Sequence, residues 1–294
     1  MGKAYLYGLL AAFFWGTHSV IVRYLTSDIG GIAIAVFRLY IAALALYLIL
    51  KINRAPVRAN LSDKYLLLTV FGTVTNYIFF HVGLEYTTAS NAMLLENTAP
   101  FFVLLLLFLF AREAIKRLDA LATAIAIFGV YFTVKGDIAL GTDRIQGDIL
   151  ELLAAFTWAI FVIGSSRALA GTVSTLERIG FLFNVFLWSA IALTPLAFFS
   201  TVNVSWNGVF FLLLLGIFPT AIAYFLWYEA VARVSTITAA LLFNLSIIFT
   251  FVNAYLFLGE RISVDMLIGA VLIVIAITVS RLGADKPEER EATK

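Results

Sequence analysis

Residues 73–113 read TVTNYIFFHVGLEYTTASNAMLLENTAPFFVLLLLFLFARE, and residues 220–260 read TAIAYFLWYEAVARVSTITAALLFNLSIIFTFVNAYLFLGE. Each stretch holds two apolar runs joined by a short, small-residue segment, Thr87–Ala92 in the first and Ser235–Ala240 in the second. A helix needs roughly 20 apolar residues to cross about 30 Å of hydrocarbon. The runs are continuous, whereas the strands of a membrane β-barrel would alternate apolar and polar residues. Placed at an offset of 147, the two stretches align without a gap. Thr73 pairs with Thr220, Tyr77 with Tyr224, His81 with Tyr228 and Ala92 with Ala239. Leu94-Leu95 pairs with Leu241-Leu242, Asn97 with Asn244, and Glu113 with Glu260. A second match, LLAAFFW at 9–15 and LLAAFTW at 152–158, lies at an offset of 143. The chain is read as two related halves.

The composition extends this reading to the whole chain. Of 294 residues, 62% are hydrophobic, 15% aromatic and only 13% charged. Soluble domains are about half apolar and about a quarter charged, so a soluble protein is excluded. Disorder is excluded by the abundance of aromatics. Ten spans are expected at roughly 4–25, 30–50, 64–84, 88–110, 117–135, 147–169, 174–198, 206–230, 236–258 and 264–282. The first is read as a span and not a signal peptide, because it lacks a small-x-small cleavage site and runs on through Trp15, His18 and Arg23. Leu6 stands where a myristoylation motif wants Ser or Thr. With no Cys, disulfides and thiolate chemistry are excluded. A net charge of +2 argues for no nucleic-acid partner.

Orientation follows from Lys and Arg in short loops, which stay on the cytoplasmic side. With the N-terminus inside, that side collects Lys3, Lys51, Arg54, Arg58, Lys64, Arg112, Lys116, Arg117, Arg167, Arg178, Arg233, Arg281, Lys286, Arg290 and Lys294. The other side holds Lys135, Arg144 and Arg261. Both termini are therefore expected in the cytoplasm. Five spans per half is an odd number, so the halves insert in opposite senses. Residues 1–136 form the first repeat, 137–282 the inverted second repeat, and 283–294 a disordered cytoplasmic tail. Inverted repeats are the architecture of many secondary transporters, with the substrate site near the midplane between them.

These residues resemble the drug/metabolite transporter superfamily, and within it the ten-span exporters built from two EamA-type repeats. The resemblance rests on LLAAFFWGTHSVIVRYL, FRLYIAALALYLIL and GLEYTTASNAMLLENTAPFFVLLLLFLFARE in the first half. In the second half it rests on LLAAFTWAIFVIGSSRAL and YEAVARVSTITAALLFNLSIIFTFVNAYLFLGERIS. It covers residues from about 5 to 282. It implies an exporter of small metabolites in a bacterial inner membrane, and the chain looks similar to exporters of aromatic amino acids. Many relatives carry an apolar or small residue where this chain has Glu96.

The expected substrate-binding residues are Trp15, His18, Tyr77, His81, Glu96, Asn97, Trp158, Tyr224, Trp227, Tyr228 and Asn244. Ionisable groups inside spans are costly and usually face the interior or a cavity. Glu96, near mid-depth in span 4, is a proton carrier or a partner for a substrate ammonium, or else a structural partner of Arg38. Arg38 reads as a structural anchor. Glu151, near the outer end of span 6 where water is close, reads as without consequence. His18 lies one turn from Trp15, and His81 one turn from Tyr77. They are hydrogen-bonded interior groups or, with Tyr224 and Tyr228, the lining of a cavity. Trp15 and Trp158 occupy equivalent positions, with Trp15 too deep for the interfacial aromatic belt. Paired rings suit apolar side chains by stacking and an ammonium by cation–π attraction, and Trp227 joins them. Trp206 reads as belt and Trp188 as core. Asn97 and Asn244 bond either a zwitterion or a neighbouring helix. Pro100 and Pro219 interrupt their spans and permit kinks.

No P-loop, H-E-x-x-H or G-x-S-x-G motif is present, so neither an ATPase, a zinc protease nor a lipase is indicated. No cofactor and no metal are expected. The sequence points to a secondary transporter and not an enzyme. Its partners are a small-molecule substrate, an amino acid, and membrane lipids, and it is read as a monomer. A multidrug or nucleotide-sugar carrier is the alternative, although a diphosphate would want several cavity cations and only Arg38 is deep.

Overall fold

A computed structural model describes residues 2–56, 62–111, 116–140, 143–172, 174–233 and 236–284. Arg58, Arg112, Glu113, Ser235 and the charged tail from residue 285 lie outside these, as do the side chains of Ala111, Leu140, Thr236–Leu241 and Arg281–Ala284. The protein is an all-α membrane protein with about ten crossing segments. Eight helices are long and apolar enough to cross a bilayer, and two shorter apolar helices follow them. No strand forms among the described residues. One isolated bridge joins Ile29 to Val202.

The elements are α1 (Gly2–Leu25), α2 (Gly31–Ile52), α3 (Lys64–Tyr86), α4 (Ala89–Glu96), α5 (Ala99–Leu106), α6 (Arg117–Leu140), α7 (Arg144–Ala168), α8 (Thr175–Ala197), α9 (Trp206–Leu215), α10 (Ala223–Val231), α11 (Thr236–Asn253) and α12 (Val264–Ala284). Spans 5 and 6 approach each other more closely than the apolar runs suggest, since α6 continues to Leu140 and α7 begins at Arg144.

Three spans are broken. Span 4 parts between Glu96 and Ala99, where Pro100 opens α5. A proline fits the first turn of a helix because its missing N–H would be unbonded there anyway. Span 8 passes through a π-helical segment, Gly216–Ile222, around Pro219. Here Thr220 Oγ1 donates to the Leu215 carbonyl at 2.8 Å. Span 9 ends in a π-helical turn, Ala254–Leu258, closed by Gly259 at φ 66°, a left-handed conformation that glycine adopts without strain.

Close packing between the two sequence halves builds the bundle. α3 lies along α7, α6 along α12, α2 along α8, and α1 against α10 and α11. The α3–α7 seam is made of small residues, as expected where lipid offers no hydrophobic drive. A Cβ on Gly72 would stand 2.5 Å from the Phe161 amide nitrogen, and one on Gly147 2.6 Å from that of Thr87. Polar links fasten α6 to α12: Lys135 Nζ lies 2.7 Å from Asp265 Oδ1, and Ser280 Oγ donates to Asp119 Oδ1 at 2.8 Å.

One end of the bundle is laced shut. Beside the Ile29–Val202 bridge, Gly30 N–H donates to the Thr201 carbonyl at 2.8 Å and Asn203 N–H to that of Asp28 at 3.0 Å. Glu260 reaches across to the start of α4 and accepts from Ala89 N–H at 2.8 Å, Ser90 N–H at 3.1 Å and Ser90 Oγ at 2.6 Å. A carboxylate at a helix N-terminus satisfies free amides and meets the positive end of the helix dipole.

Candidate functional site

A small central cavity of about 30 Å³ lies where α1, α2, α3, α4, α7 and α10 meet, and Trp15, His18, Arg38, Tyr77, His81 and Glu96 are on its wall. It shares Trp15, Trp158, Tyr224 and Phe243 with a vestibule of about 370 Å³. The vestibule runs past Ser165, Trp227, Tyr228 and Val231, toward the C-terminal ends of α7 and α10.

Arg38 organises the cavity. Its side chain is 1% exposed, and among the described residues no carboxylate lies within ion-pair distance of it. Nε donates to Thr220 Oγ1 at 3.0 Å. The terminal NH1 group meets His18 Nε2 and, at 3.3 Å, His81 Nε2. Its guanidinium carbon sits 4.8 Å from the centre of the Tyr77 ring. Arginine only donates, so both imidazoles accept through Nε2. His81 therefore carries its proton on Nδ1, 2.8 Å from the Tyr77 carbonyl that accepts it. The guanidinium is surrounded by hydroxyl, imidazole and aromatic groups.

Glu96 brings a carboxyl group to the same cavity. It ends α4 at the break in span 4, and Asn76 Nδ2 donates to its Oε1 at 3.4 Å. The same Asn76 amide donates to the Ala154 carbonyl at 2.9 Å, which ties the carboxylate to the α3–α7 seam. Glu96 and Arg38 form no ion pair.

Between the cavity and its vestibule stands an aromatic cluster. Trp15 contacts Trp227, Phe243 and Tyr224 edge-on, with ring centres 5.3, 5.4 and 5.5 Å apart. Trp158 stacks on Phe161 at 4.5 Å and meets Tyr224 edge-on at 5.8 Å. These are the separations at which aromatic pairs attract beyond simple burial.

Most of the residues singled out by sequence converge here. Trp15, His18, Tyr77, His81, Glu96, Trp158 and Tyr224 line the central cavity. Trp227, Tyr228 and Asn244 line the vestibule, where both polar atoms of the Asn244 amide are buried without a hydrogen bond. Asn97 lines neither space. Its Nδ2 donates to the Met93 carbonyl at 2.8 Å, so the side chain serves the helix break. Trp206, 90% exposed, is at the surface as expected of a belt residue.

Two residues are placed differently from expectation. Arg38, read as an anchor, does bond Thr220 in the opposite half, but its guanidinium also faces the cavity. Glu151, read as close to water, is 0% exposed, and neither carboxylate oxygen has a hydrogen-bond partner. It packs against α3, where a Cβ on Gly83 would stand 2.6 Å from its Oε1. Asn76 escaped notice because a single amide in an apolar run carries no motif.

A sequence profile of the EamA-like transporter family matches residues 2–135 and again residues 145–282. An uncharacterized transporter of Clostridium kluyveri is 25% identical over 294 residues, covering 95% of this chain and 93% of that one. One of Archaeoglobus fulgidus is 29% identical over 213 residues, covering 71% and 73%. A solved crystal structure shares the fold, with a TM-score of 0.66 at 18% identity over 98% of this chain and 99% of its own.

Proposed function

The chain belongs to the EamA-like transporter family, and from that premise we propose that it exports amino acids, aromatic and other neutral ones foremost, across a bacterial inner membrane by alternating access. The observation that carries this reading is Arg38, a buried cation with no carboxylate partner among the described residues, in one cavity with Glu96. A zwitterion matches that pair: its carboxylate takes the guanidinium fork, where charge-assisted bonds are strongest, and its ammonium takes Glu96. The cluster of Trp15, Trp158, Tyr224 and Trp227 then receives the side chain, and the free amide of Asn244 lies on the way in. The protein performs no chemistry on what it carries.

The transporter is two five-helix halves inserted in opposite senses, with both termini in the cytoplasm. The packing supports this. Exchanging spans 1–5 with 6–10 turns the α1–α10 contact into α7–α3 and the α1–α11 contact into α7–α4, and both pairs are in contact. The Glu260 cap and the Ile29–Val202 bridge then close the outer side, while the vestibule faces the cytoplasm.

Counterflow in proteoliposomes loaded with a panel of amino acids tests the reading. Saturable exchange that favours tryptophan and phenylalanine over polar amino acids is expected. Folded protein that exchanges none of them overturns the substrate class, and drug cations and nucleotide sugars become the leading candidates.

A further inference from the structure

Glu151 lies outside the cavity and vestibule, and the transport reading gives it no task. It is fully buried in α7 with both oxygens unpartnered. An ionised carboxylate in that condition is among the costliest groups a membrane interior can hold, and a proton removes the cost. Its surroundings form a line of carboxyl groups. One turn toward the start of α7 lies Asp148, a rise of about 4.5 Å along the helix. Asp148 Oδ1 accepts from Thr87 Oγ1 at 2.5 Å and from Asn91 Nδ2 at 3.2 Å, and its Oδ2 has no partner. The Asn91 amide also donates to Asp137 Oδ2 at 3.0 Å. Asp137 and Asn91 are on the wall of an open cavity of about 560 Å³ shared with Arg144 and Glu260. One turn the other way along α7, the Ala154 carbonyl holds Asn76, whose amide touches Glu96. A line therefore runs from an open mouth at the N-terminal end of α7 to the central cavity, while the vestibule opens toward its C-terminal end.

The other elements packed on α7 leave Glu151 without a cation. α3 brings Gly83, while its His81 is engaged by Arg38 and its Glu85 by the Gly31 amide, at 2.5 Å. α4 contributes Glu96, a second carboxyl group and no cation. α5 carries no titratable residue. α6 contributes Asp137, which Arg144 approaches only to 3.9 Å at the mouth. The two carboxyl groups of α7 have no counterparts in α1: the offset of 143 places Gly8 opposite Glu151 and Tyr5 opposite Asp148.

We propose that Glu151 is a proton-binding site, loaded from the Asp137–Asp148 mouth and discharging to Glu96, so that protons enter from the end of the bundle opposite the substrate. Asp148 passes its proton to the Glu151 carboxylate. Water carries the proton from Glu151 to a Glu96 carboxylate oxygen, and Glu96 releases it to water in the vestibule before the next substrate binds. A neutral Glu96 no longer holds an ammonium, so one proton moves in for each substrate released. The site stands on the geometry alone, whereas its coupling to export rests on the proposed function.

Two measurements test it. Infrared difference spectra of the protein in lipid, wild type against Glu151→Gln, read the site without any substrate. A protonated-carboxyl band that disappears in Glu151→Gln is expected, and its absence from the wild type at every pH overturns the site. In proteoliposomes with the membrane potential clamped, one pH unit drives about tenfold accumulation under one-for-one exchange. Glu151→Gln and Asp148→Asn are expected to keep counterflow, which also shows that they fold, and to lose that accumulation. Counterflow with unchanged pH-driven accumulation in both variants overturns the route. A titrating band in protein that exchanges no amino acid overturns the substrate class and leaves the proton site standing.

Discussion

Arg38 takes a permanent charge into the middle of the bundle, and the groups around it show how that charge is kept available. Thr220, His18 and His81 offer neutral acceptors, which solvate the guanidinium without cancelling it. Arg38→Ala is expected to abolish amino-acid counterflow. Arg38→Lys keeps the charge but loses the planar fork. Because a hydrogen bond to a charged group is worth about 1.5–3 kcal/mol, it is expected to lower affinity by at least about tenfold. Unchanged affinity in Arg38→Lys, measured by concentration dependence, would remove the fork from the site. Trp15 belongs to the same scale. A ring contact of the same kind with an aromatic substrate would be worth about 0.5–1.5 kcal/mol. Trp15→Ala is therefore expected to reduce the preference for tryptophan over alanine about tenfold, read by competition in counterflow.

At the scale of the elements, the breaks and the seams matter most. α4 begins under the Glu260 cap and ends at the cavity with Glu96, so one short helix connects the closed end to the site. Losing a cap typically costs about 1 kcal/mol. Glu260→Ala should therefore favour the outward-open state severalfold. The chain has no Cys, so a single Met93→Cys reporter on the cavity wall can be labelled by an impermeant thiol reagent. Faster labelling from the α4 N-terminal side in Glu260→Ala is the expected result. The α3–α7 seam makes a second prediction. Gly72→Leu drives a side chain into the Phe161 backbone, and overpacking of this kind costs about 1–3 kcal/mol. A lowered melting temperature in detergent checks it, and an unchanged one would mean that the helices separate without penalty.

The whole molecule is held by contacts that cross from one sequence half to the other. α2 packs on α8 and α6 on α12. In the proposed inverted repeat these are counterpart pairs, on the axis about which the two halves would exchange roles. The proposed orientation puts both termini on one side after ten crossings, and the excess of Lys and Arg is the ground for taking that side as the cytoplasm. Reporter fusions after residue 294 and within residues 141–142 are expected to read cytoplasm and exterior respectively. The reverse result would invert the proposed direction of transport.

Much of this was legible in the sequence, for a physical reason particular to membranes. The hydrocarbon thickness sets span length, so the apolar runs by themselves determined the number of crossings and most of their limits. The offsets of 143 and 147 are the ground for the proposed repeat, and Trp15, Tyr77, Glu96 and Trp158 stood out because aromatic pairs and buried ionisable groups are improbable filler. Which face of each helix turns inward was not legible. Lipid is as apolar as a protein core, so an apolar residue gains little from choosing between them. Phe186 is 0% exposed and Phe110 is 82% exposed, yet both sit in similar apolar runs. Only the tertiary structure decided that Arg38 faces a cavity, that Glu151 is sealed against Gly83, and that Asn97 serves the helix break while Asn244 stays free. Those outcomes depend on rotation about the helix axis and on the neighbours each helix meets.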